Sequence, residues 1–270
     1  MIETFDYGEV MFFRMARTLF GRAIYWTGIY YVDGLLVDSG PSNLRREVRG
    51  LFRELEIQQA VTTHHHEDHT GNHAMLQEEF GVTPLAHGKA VHLLREPEVH
   101  LHLYRRVVWG APRPSRLRAF EEGLETPSFR FQVVETPGHS QDHVVLFEPE
   151  RRWLFSGDLY LAPKLKVLRS DEDVHALADS LRRVMELEPK VLFCQHRGRV
   201  EQAMEVLRMK HDFLVELGAR VKALHAQGLD ETEIARALPG NDFLWRLGTG
   251  GHFSKLNFVR AFLSPRRRMG

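Results

Sequence analysis

The stretch Thr62-Thr63-His64-His65-His66-Glu67-Asp68-His69-Thr70-Gly71-Asn72 decides how this chain is read. Inside it, His64-x-His66-x-Asp68-His69 crowds metal-ligand chemistry into one short segment. Buried as bare polar groups, these side chains would each need a partner in a small volume, and a metal ion supplies that partner. The preceding run, Gln59 to Thr63, is short and ends in β-branched residues, so it reads as a strand end entering a loop. Alternate residues there point the same way, which lets His64 and His66 converge on one ion. Past the bend, Asp68 and His69 reach a second. Thr70 to Phe80 then reads as a helix, opened by Asp68 or Thr70 and closed by Gly81.

The stretch resembles the signature of the metallo-β-lactamase superfamily. The resemblance maps His139, in Thr136-Pro137-Gly138-His139-Ser140, onto the third ligand of the first metal. It maps His196, in Phe193-Cys194-Gln195-His196, onto the third group at the second metal, and Asp158, in Phe155-Ser156-Gly157-Asp158, onto the carboxylate that bridges both. Each follows an apolar run that reads as a strand: Phe131 to Val134, Val191 to Phe193 and Trp153 to Phe155 respectively. Ligands on loops held by a rigid sheet are what a preorganised site requires. The expected metal set is therefore His64, His66, Asp68, His69, His139, Asp158 and His196. The implied fold is an α/β protein, a four-layer αβ/βα metallo-β-lactamase sandwich with a helical C-terminal extension. Residues 1–200 form the expected catalytic domain, with a lid-like insertion at about 92–126, and residues 201–270 form the extension, a winged-helix-like cap.

Composition narrows the function classes. A chain of 270 residues suits one large domain or a domain with a small appendage. With 36 basic and 36 acidic side chains there is no global field that would draw it to nucleic acid or to an anionic membrane. One cysteine excludes an intramolecular disulfide framework and fits a reducing compartment. The first residues lack the basic start and apolar run of a signal peptide, and no apolar stretch is long enough to span a bilayer. A cytoplasmic protein without a membrane partner is the expectation.

Along the chain, Asp33-Gly34 between Ile29–Val32 and Leu35–Val37 signals a hairpin. Asp38, at the end of its second strand, reads either as a group supporting the metal ligands or as simple turn chemistry. Asn43 to Glu56 has helical apolar spacing. From Gly81 to Phe129 strand signals are sparse; His100, His102, Tyr104, Arg105, Arg106 and Trp109 lie there, either on a lid over the pocket or on a solvated outer helix. Asp171 or Asp173 caps a helix running to Leu187. From Arg199 onward, including Val200, the texture is helical until Gly228. A short helix at Ile234–Leu238 follows, and a last one from Ser254 to Leu263. His65 should face away from the metals, His143 reads as ligand-orienting or as a core histidine, Cys194 as a small buried hydrophobe, and His73 as helix packing or as a hydrogen-bonding group behind the ligands.

Two divalent ions held by five histidines and two aspartates carry more positive charge than the carboxylates cancel, so a bridging hydroxide is the natural occupant. It would attack a carbonyl or phosphoryl centre. Asp68 is the expected catalytic residue, ligating and either orienting the nucleophile or returning a proton. Nitrogen and oxygen donors suit zinc and admit iron or manganese. Thr-Pro-Gly-His-Ser and Ser-Gly-Asp-Leu-Tyr resemble the branch that includes glyoxalase II, which implies a small ester, thioester or lactone substrate. Tyr160 and Lys164, with Lys166, match that branch's substrate groups after the bridging aspartate, and His252 beside Gly248–Gly251 is a further candidate. A glutathione-binding set near the C-terminus has no match. Two alternatives stand: a nucleic-acid phosphodiesterase, because Thr232-Glu-Ile-Ala-Arg-Ala-Leu238 resembles a helix-turn-helix, and a mono-iron sulfur dioxygenase.

Overall fold

The computed structural model of the chain describes residues 1–96, 101–120 and 123–265. The first half supplies β1 (Ile2–Asp6), β2 (Met11–Met15), a small outlying hairpin β3 (Thr18–Leu19) and β4 (Arg22–Ala23), then β5 (Thr27–Val32) and β6 (Leu35–Val37). It continues with α1 (Arg45–Glu54), β7 (Gln59–Val61), α2 (Glu67–Thr70), α3 (His73–Phe80), β8 (Leu85–Ala86), α4 (Gly88–Arg95), α5 (Leu103–Val108) and β9 (Arg118–Ala119). Seven of these strands form one sheet in the order β1-β2-β5-β6-β7-β8-β9. The second half gives β10 (Leu124–Glu125), β11 (Arg130–Glu135), β12 (Val144–Glu148), β13 (Trp153–Phe155), β14 (Leu168–Arg169), α6 (Val174–Met185), β15 (Val191–Cys194) and β16 (Gly198–Val200). The second sheet runs β10-β11-β12-β13-β15-β16.

Three cores define the layers. Phe12, Tyr30, Val32, Val37 and Val61 from the first sheet meet Phe131, Leu146, Phe155 and Phe193 from the second, so the sheets pack face to face. The other face of the first sheet, through Phe13, Met15, Ile29 and Leu36, is covered by Val48, Phe52, Met75 and Leu76 of α1 and α3. The outer face of the second sheet is covered by Leu177, Leu181, Leu207 and Leu214 of α6 and of α7 (Ala203–Ala226). The result is the four-layer αβ/βα sandwich. Asp33 and Gly34, at φ 47° and 82°, make the two-residue turn between β5 and β6, with Val32 opposite Leu35.

Two local expectations are corrected. The helix read at Thr70–Phe80 is broken into α2 and α3 around Gly71 and Asn72. A Cβ on Gly71 would lie 2.2 Å from the Ser42 backbone nitrogen, and the Asn72 amide donates to the carbonyls of Ser39 (2.8 Å), Gly40 (3.2 Å) and Pro41 (3.1 Å). Packing against residues 39–42 overrides helix propensity there. Gly81 closes α3 in the left-handed conformation, at φ 69°. Val200, read as helical, ends β16, whose Leu192↔Val200 pairing completes the second sheet.

The C-terminal part comprises α7, α8 (Glu231–Ala237), α9 (Phe243–Gly248), β17 (Phe253–Ser254) and α10 (Lys255–Leu263). Asp230 and Glu233 form a capping box on α8. Helix α9 had no expectation in the sequence. Antiparallel pairing of β17 with β14, Arg169 opposite Phe253, stitches this region back onto the first 200 residues. Ile234, Leu238, Phe258, Val259 and Phe262 are buried in the same cluster as Leu154 and Leu192 of the second sheet. Among the described residues no helix is long and apolar enough to cross a membrane. Of the lid-like insertion, residues 97–100, including His100, and 121–122 lie outside the described residues.

Candidate metal centre

All seven residues of the expected set sit just beyond strand ends, where the chain turns out of the two sheets. His64, His66, Asp68 and His69 follow β7; His139 follows β11; Asp158 follows β13; His196 follows β15. They converge. Three groups of ligand atoms lie within 4.8 Å of one another: His64, His66 and His139; His64, His69 and Asp158; Asp68, His69 and His196. Asp158 reaches both sides, with Oδ2 3.2 Å from His139 Nε2 and Oδ1 3.1 Å from His196 Nε2. Asp68 Oδ2 is 3.3 Å from His196 Nε2.

The surroundings fix which ring nitrogen faces inward. His69 donates from Nδ1 to Asp38 Oδ2 at 2.8 Å, His139 Nδ1 faces Glu172 Oε1 at 2.7 Å, and His196 donates from Nδ1 to the Trp26 carbonyl at 2.6 Å. Each leaves Nε2 turned to the centre, the arrangement by which outer carboxylates and carbonyls orient metal-binding imidazoles. His66 is the exception, with Nδ1 inward, 3.0 Å from His139 Nε2. The buried Nε2 atoms of His64 and His69 have no hydrogen-bond partner. Unpartnered lone pairs converging in a buried volume are costly, and a bound cation removes that cost. These residues fit divalent metal ions.

Titration supports the same reading. Burial, reinforced by His69 and His139, pushes the His64 imidazole well below its usual range, and burial with Arg169 does the same to His66. Both therefore stay neutral, the form of imidazole that can ligate a metal. Burial would depress His69 too, but Asp68, Asp38 and Asp158 around it outweigh burial and hold it well above the ordinary value. The same carboxylates that attract that proton attract a dication. Burial raises Asp158, yet His196, His69 and His139 more than offset it and keep the carboxyl ionised.

A second ring of groups holds the first. Asp38, buried at φ 65°, accepts from the Thr63 backbone (2.8 Å), from His69 and from Gln195 Nε2 (2.7 Å). His143 accepts from the Asp158 backbone N–H at 3.0 Å and contacts Thr136 Oγ1 at 2.7 Å, so it positions Asp158; burial and His139 hold it at about 3. His65 faces Asp142, 2.7 Å from Oδ1, away from the cluster. His73 contacts only Thr62 Oγ1 in this set, at 2.6 Å, and Cys194 is buried with its thiol on the Tyr160 carbonyl.

The centre opens into a cavity of about 300 Å³ walled by Tyr25, Val108, Trp109, Leu161, Trp245 and Phe253, with Tyr104, Arg105 and Arg169 as polar members. Arg105 donates to Glu67 Oε2 from Nε at 2.9 Å in a buried ion pair that ties α5 to α2. The Asn43 amide donates to the Val108 carbonyl at 2.6 Å, fixing the other end of α5. Residues 104–109 thus form one cavity wall.

The three residues read as substrate-binding separate. His252 is buried beside the cavity, 2.7 Å from Tyr104 Oη through Nδ1. Tyr160 lies in the core under the second sheet and Lys164 on the surface, and neither lines the cavity. Asp173, not Asp171, caps α6. Asp171 instead accepts from Arg169 Nε at 2.7 Å. Arg169, Glu172 and Trp245 escaped the sequence reading. Arg169-Ser-Asp-Glu carried the signal, a cation with acids two and three residues on, but those acids also read as a helix cap.

The two-sheet sandwich and this ring-end gathering of histidine and aspartate define a metal-binding αβ/βα protein. The family model of the metallo-beta-lactamase superfamily matches residues 30–196, and the chain belongs to that superfamily. The chain is 27% identical over 239 residues to the Probable metallo-hydrolase YqjP of Bacillus subtilis (strain 168), covering 68% of this chain and 71% of the relative. It is 24% identical over 189 residues to a hydroxyacylglutathione hydrolase of Legionella pneumophila (strain Paris), covering 69% of this chain and 65% of that protein. A beta-lactamase domain protein from Burkholderia ambifaria has the same fold, with TM-score 0.71 at 18% identity, over 97% of this chain and 86% of that one.

Proposed function

We propose that the chain is a hydrolase of a small ester, thioester or lactone that works with two divalent metal ions, zinc being the best match to its donors. The observation that carries this is the joining of the three ligand clusters through His64, His69 and Asp158 at the floor of one cavity. His64, His66 and His139 would hold one ion; Asp68, His69 and His196 the other; Asp158 touches both sets. When bound, such a pair supplies an activated water at neutral pH and positive charge for a developing oxyanion. The chain's own residues do the rest. Asp38, Glu172 and the Trp26 carbonyl fix the imidazole tautomers, and the aromatic wall excludes bulk water and holds an apolar group of the substrate. Asp68, on the cavity surface between His69 and His196, orients the attacking water and carries its proton.

Hydrolase relatives, one of them a hydroxyacylglutathione hydrolase, support the reaction class. Glutathione itself is disfavoured as substrate, because Tyr160 and Lys164 are away from the cavity. The phosphodiesterase alternative finds little support in the C-terminal helices. Lys255 is buried and donates to the Leu238 (2.9 Å) and Gly240 (2.8 Å) carbonyls, and Arg260 pairs with Glu231. Lys255 is thus withheld from phosphates, and the exposed Arg260 is offset by an acidic neighbour.

Metal analysis joined to a substrate screen tests the proposal. The reconstituted protein should hold close to two ions per chain. Asp158→Ala should lower occupancy of both, and Asp68→Asn should cut kcat on esters and thioesters by about 100-fold or more with little change in KM. A single tightly bound ion, or phosphodiester cleavage without any carbonyl substrate, would refute it.

A further inference from the structure

Ten of the fourteen large apolar side chains left exposed among the described residues lie in three short segments, 19–25, 103–107 and 243–247. The same segments wall the cavity, through Ile24, Tyr25, Tyr104 and Trp245. They are joined around its mouth. Arg17, at the base of the β3–β4 hairpin, donates to the Val107 carbonyl, and the Tyr25 ring meets that of Trp109 edge-on at 5.5 Å. Phe253 lies between the rings of Tyr104 and Trp245, at 6.1 and 5.7 Å. Apolar residues scattered singly over a surface need no explanation, whereas a concentration of them marks a face that meets something apolar.

Two of these elements have no internal reason to be apolar. The β3–β4 hairpin joins neither large sheet, and its two-residue turn is Phe20-Gly21. Phe20 stands at φ 50°, in the left-handed region that such turns fill with asparagine or glycine, and is 96% exposed. Helix α9 reads Phe-Leu-Trp-Arg-Leu-Gly, yet none of its residues is buried, and Leu244 and Leu247 are 78% and 70% exposed. A helix that apolar belongs in a core or against a partner.

The charge of this face has one sign. Segments 16–32, 101–120, 159–170 and 243–257 contain no acidic residue. They present Arg22, Arg106, Lys164, Lys166 and Arg246 to solvent, and none of the five forms an ion pair with a described residue. Other surface arginines do: Arg14 pairs with Glu3, Arg151 with Glu9 and Arg260 with Glu231. Asp242, just before α9, is engaged by the Lys255 backbone N–H at 2.8 Å. The zero net charge of the whole chain thus conceals a face that is both basic and apolar.

We propose that this face docks on an anionic lipid bilayer, with Phe20, Leu103, Leu244 and Leu247 entering the boundary between headgroups and acyl chains and the five cations lying among the headgroup phosphates. This goes beyond the hydrolase reading and does not depend on it. Apolar side chains protruding from three separate elements suit a fluid interface, which needs no matching shape, and basic groups beside them add attraction to anionic lipid. A second copy of the chain is a poorer occupant. A two-fold contact through this face would set the same cations against each other with no acid in those segments to separate them. Docked in this way, the cavity mouth opens onto the lipid, and an apolar substrate enters from it directly.

Vesicle flotation tests the proposal on the metal-loaded full chain, with vesicles of phosphatidylcholine alone or of equimolar phosphatidylcholine and phosphatidylglycerol. The wild type should partition onto the anionic vesicles about tenfold or more above the neutral ones, and less so as salt is raised. The triple variant Phe20→Ser, Leu244→Ser, Leu247→Ser should lose about tenfold or more on anionic vesicles. The quadruple variant Arg22→Ser, Lys164→Ser, Lys166→Ser, Arg246→Ser should lose the preference for anionic lipid. Met209→Ser with Val215→Ser, which removes exposed apolar groups of α7, should bind as the wild type does. Orientation is read separately. Cys194 is buried, so a polarity-sensitive dye on Phe20→Cys reports from one place. Its emission should shift to the blue on anionic vesicles, and the same dye on Met209→Cys should not shift. No binding of the wild type to anionic vesicles, equal binding to both kinds, undiminished binding of the triple variant, or a dye shift at position 209 in place of position 20 overturns the docking face. A dimer seen by light scattering that the triple variant abolishes, with vesicles ignored by the wild type, gives the face to a second copy and overturns the proposal.

Discussion

His73 separates a buried histidine that packs from one that ligates. Its burial, with a smaller contribution from His69, pulls its pKa down to about 3, and its Nε2 is 2.6 Å from Thr62 Oγ1. The folded-state value is below the unfolded one, so the stability it contributes is present above about pH 6.5 and is lost as pH falls toward 3, where the unfolded chain takes a proton that the fold refuses. Between pH 7 and pH 5 this costs about 2 kcal/mol. His73→Gln should therefore lose about 2 kcal/mol less than the wild type over that interval, measured by denaturant unfolding at the two pH values. Equal pH sensitivity would mean His73 is charged in the fold. At this scale His64, His66, Asp68 and His69 were proposed from their spacing after a strand end, while His139, Asp158 and His196 came from the family resemblance, and His65, the intervening residue, does turn away to Asp142. Arg169 was not readable. Its position follows from the β14–β17 pairing, which joins residues 168–169 to 253–254, and the acids that follow it in sequence read equally well as a helix cap.

Among the elements, the loops that carry the histidines are shaped by close backbone approach more than by propensity. Gly138, at φ 139°, precedes His139, and a Cβ there would lie 2.4 Å from the Leu177 backbone nitrogen in the first turns of α6. Its carbonyl accepts from Asp173 N–H at 2.8 Å, so the loop and the helix start are locked together. Gly138→Ala would bring both backbone strain and a clash with atoms that cannot rotate away. A loss of about 3 kcal/mol is expected, with weakened metal retention because His139 is the next residue. Denaturant unfolding and metal titration of the variant would check this, and a loss under about 1 kcal/mol would mean that the loop yields freely. The hairpin at Asp33-Gly34 and the closure of α3 by Gly81 were legible because each turn type demands its residues. The break between α2 and α3 was not, since it arises from the contact of Gly71 with Ser42, far back in the chain in a segment with no mark of that encounter.

For the whole molecule, the question is whether the last helices are an appendage or part of the sandwich. The reading of a boundary near residue 200 drew on periodicity, and long amphipathic helices after the last ligand do look like an added module. The packing joins them to the second sheet. Ile234, Leu238, Phe258, Val259 and Phe262 are buried in one cluster with Leu154, Leu192, Leu177 and Leu181, and Asn257 donates to the Leu168 carbonyl at 2.9 Å. Burying five such side chains contributes roughly 7–15 kcal/mol before chain entropy is subtracted, comparable to the whole stability of a typical domain. A detachable nucleic-acid-binding module would leave a soluble, cooperatively melting remainder when removed. Truncation after Gly228 should instead give a chain without a cooperative thermal transition, because it uncovers α7 and the outer face of the second sheet and removes the β17 strand that pairs with Arg169. Calorimetry on the truncated and full-length chains decides it. A sharp transition in the truncated chain, within a few degrees of the full-length one, would make residues 229–265 a separate module and reopen the nucleic-acid reading.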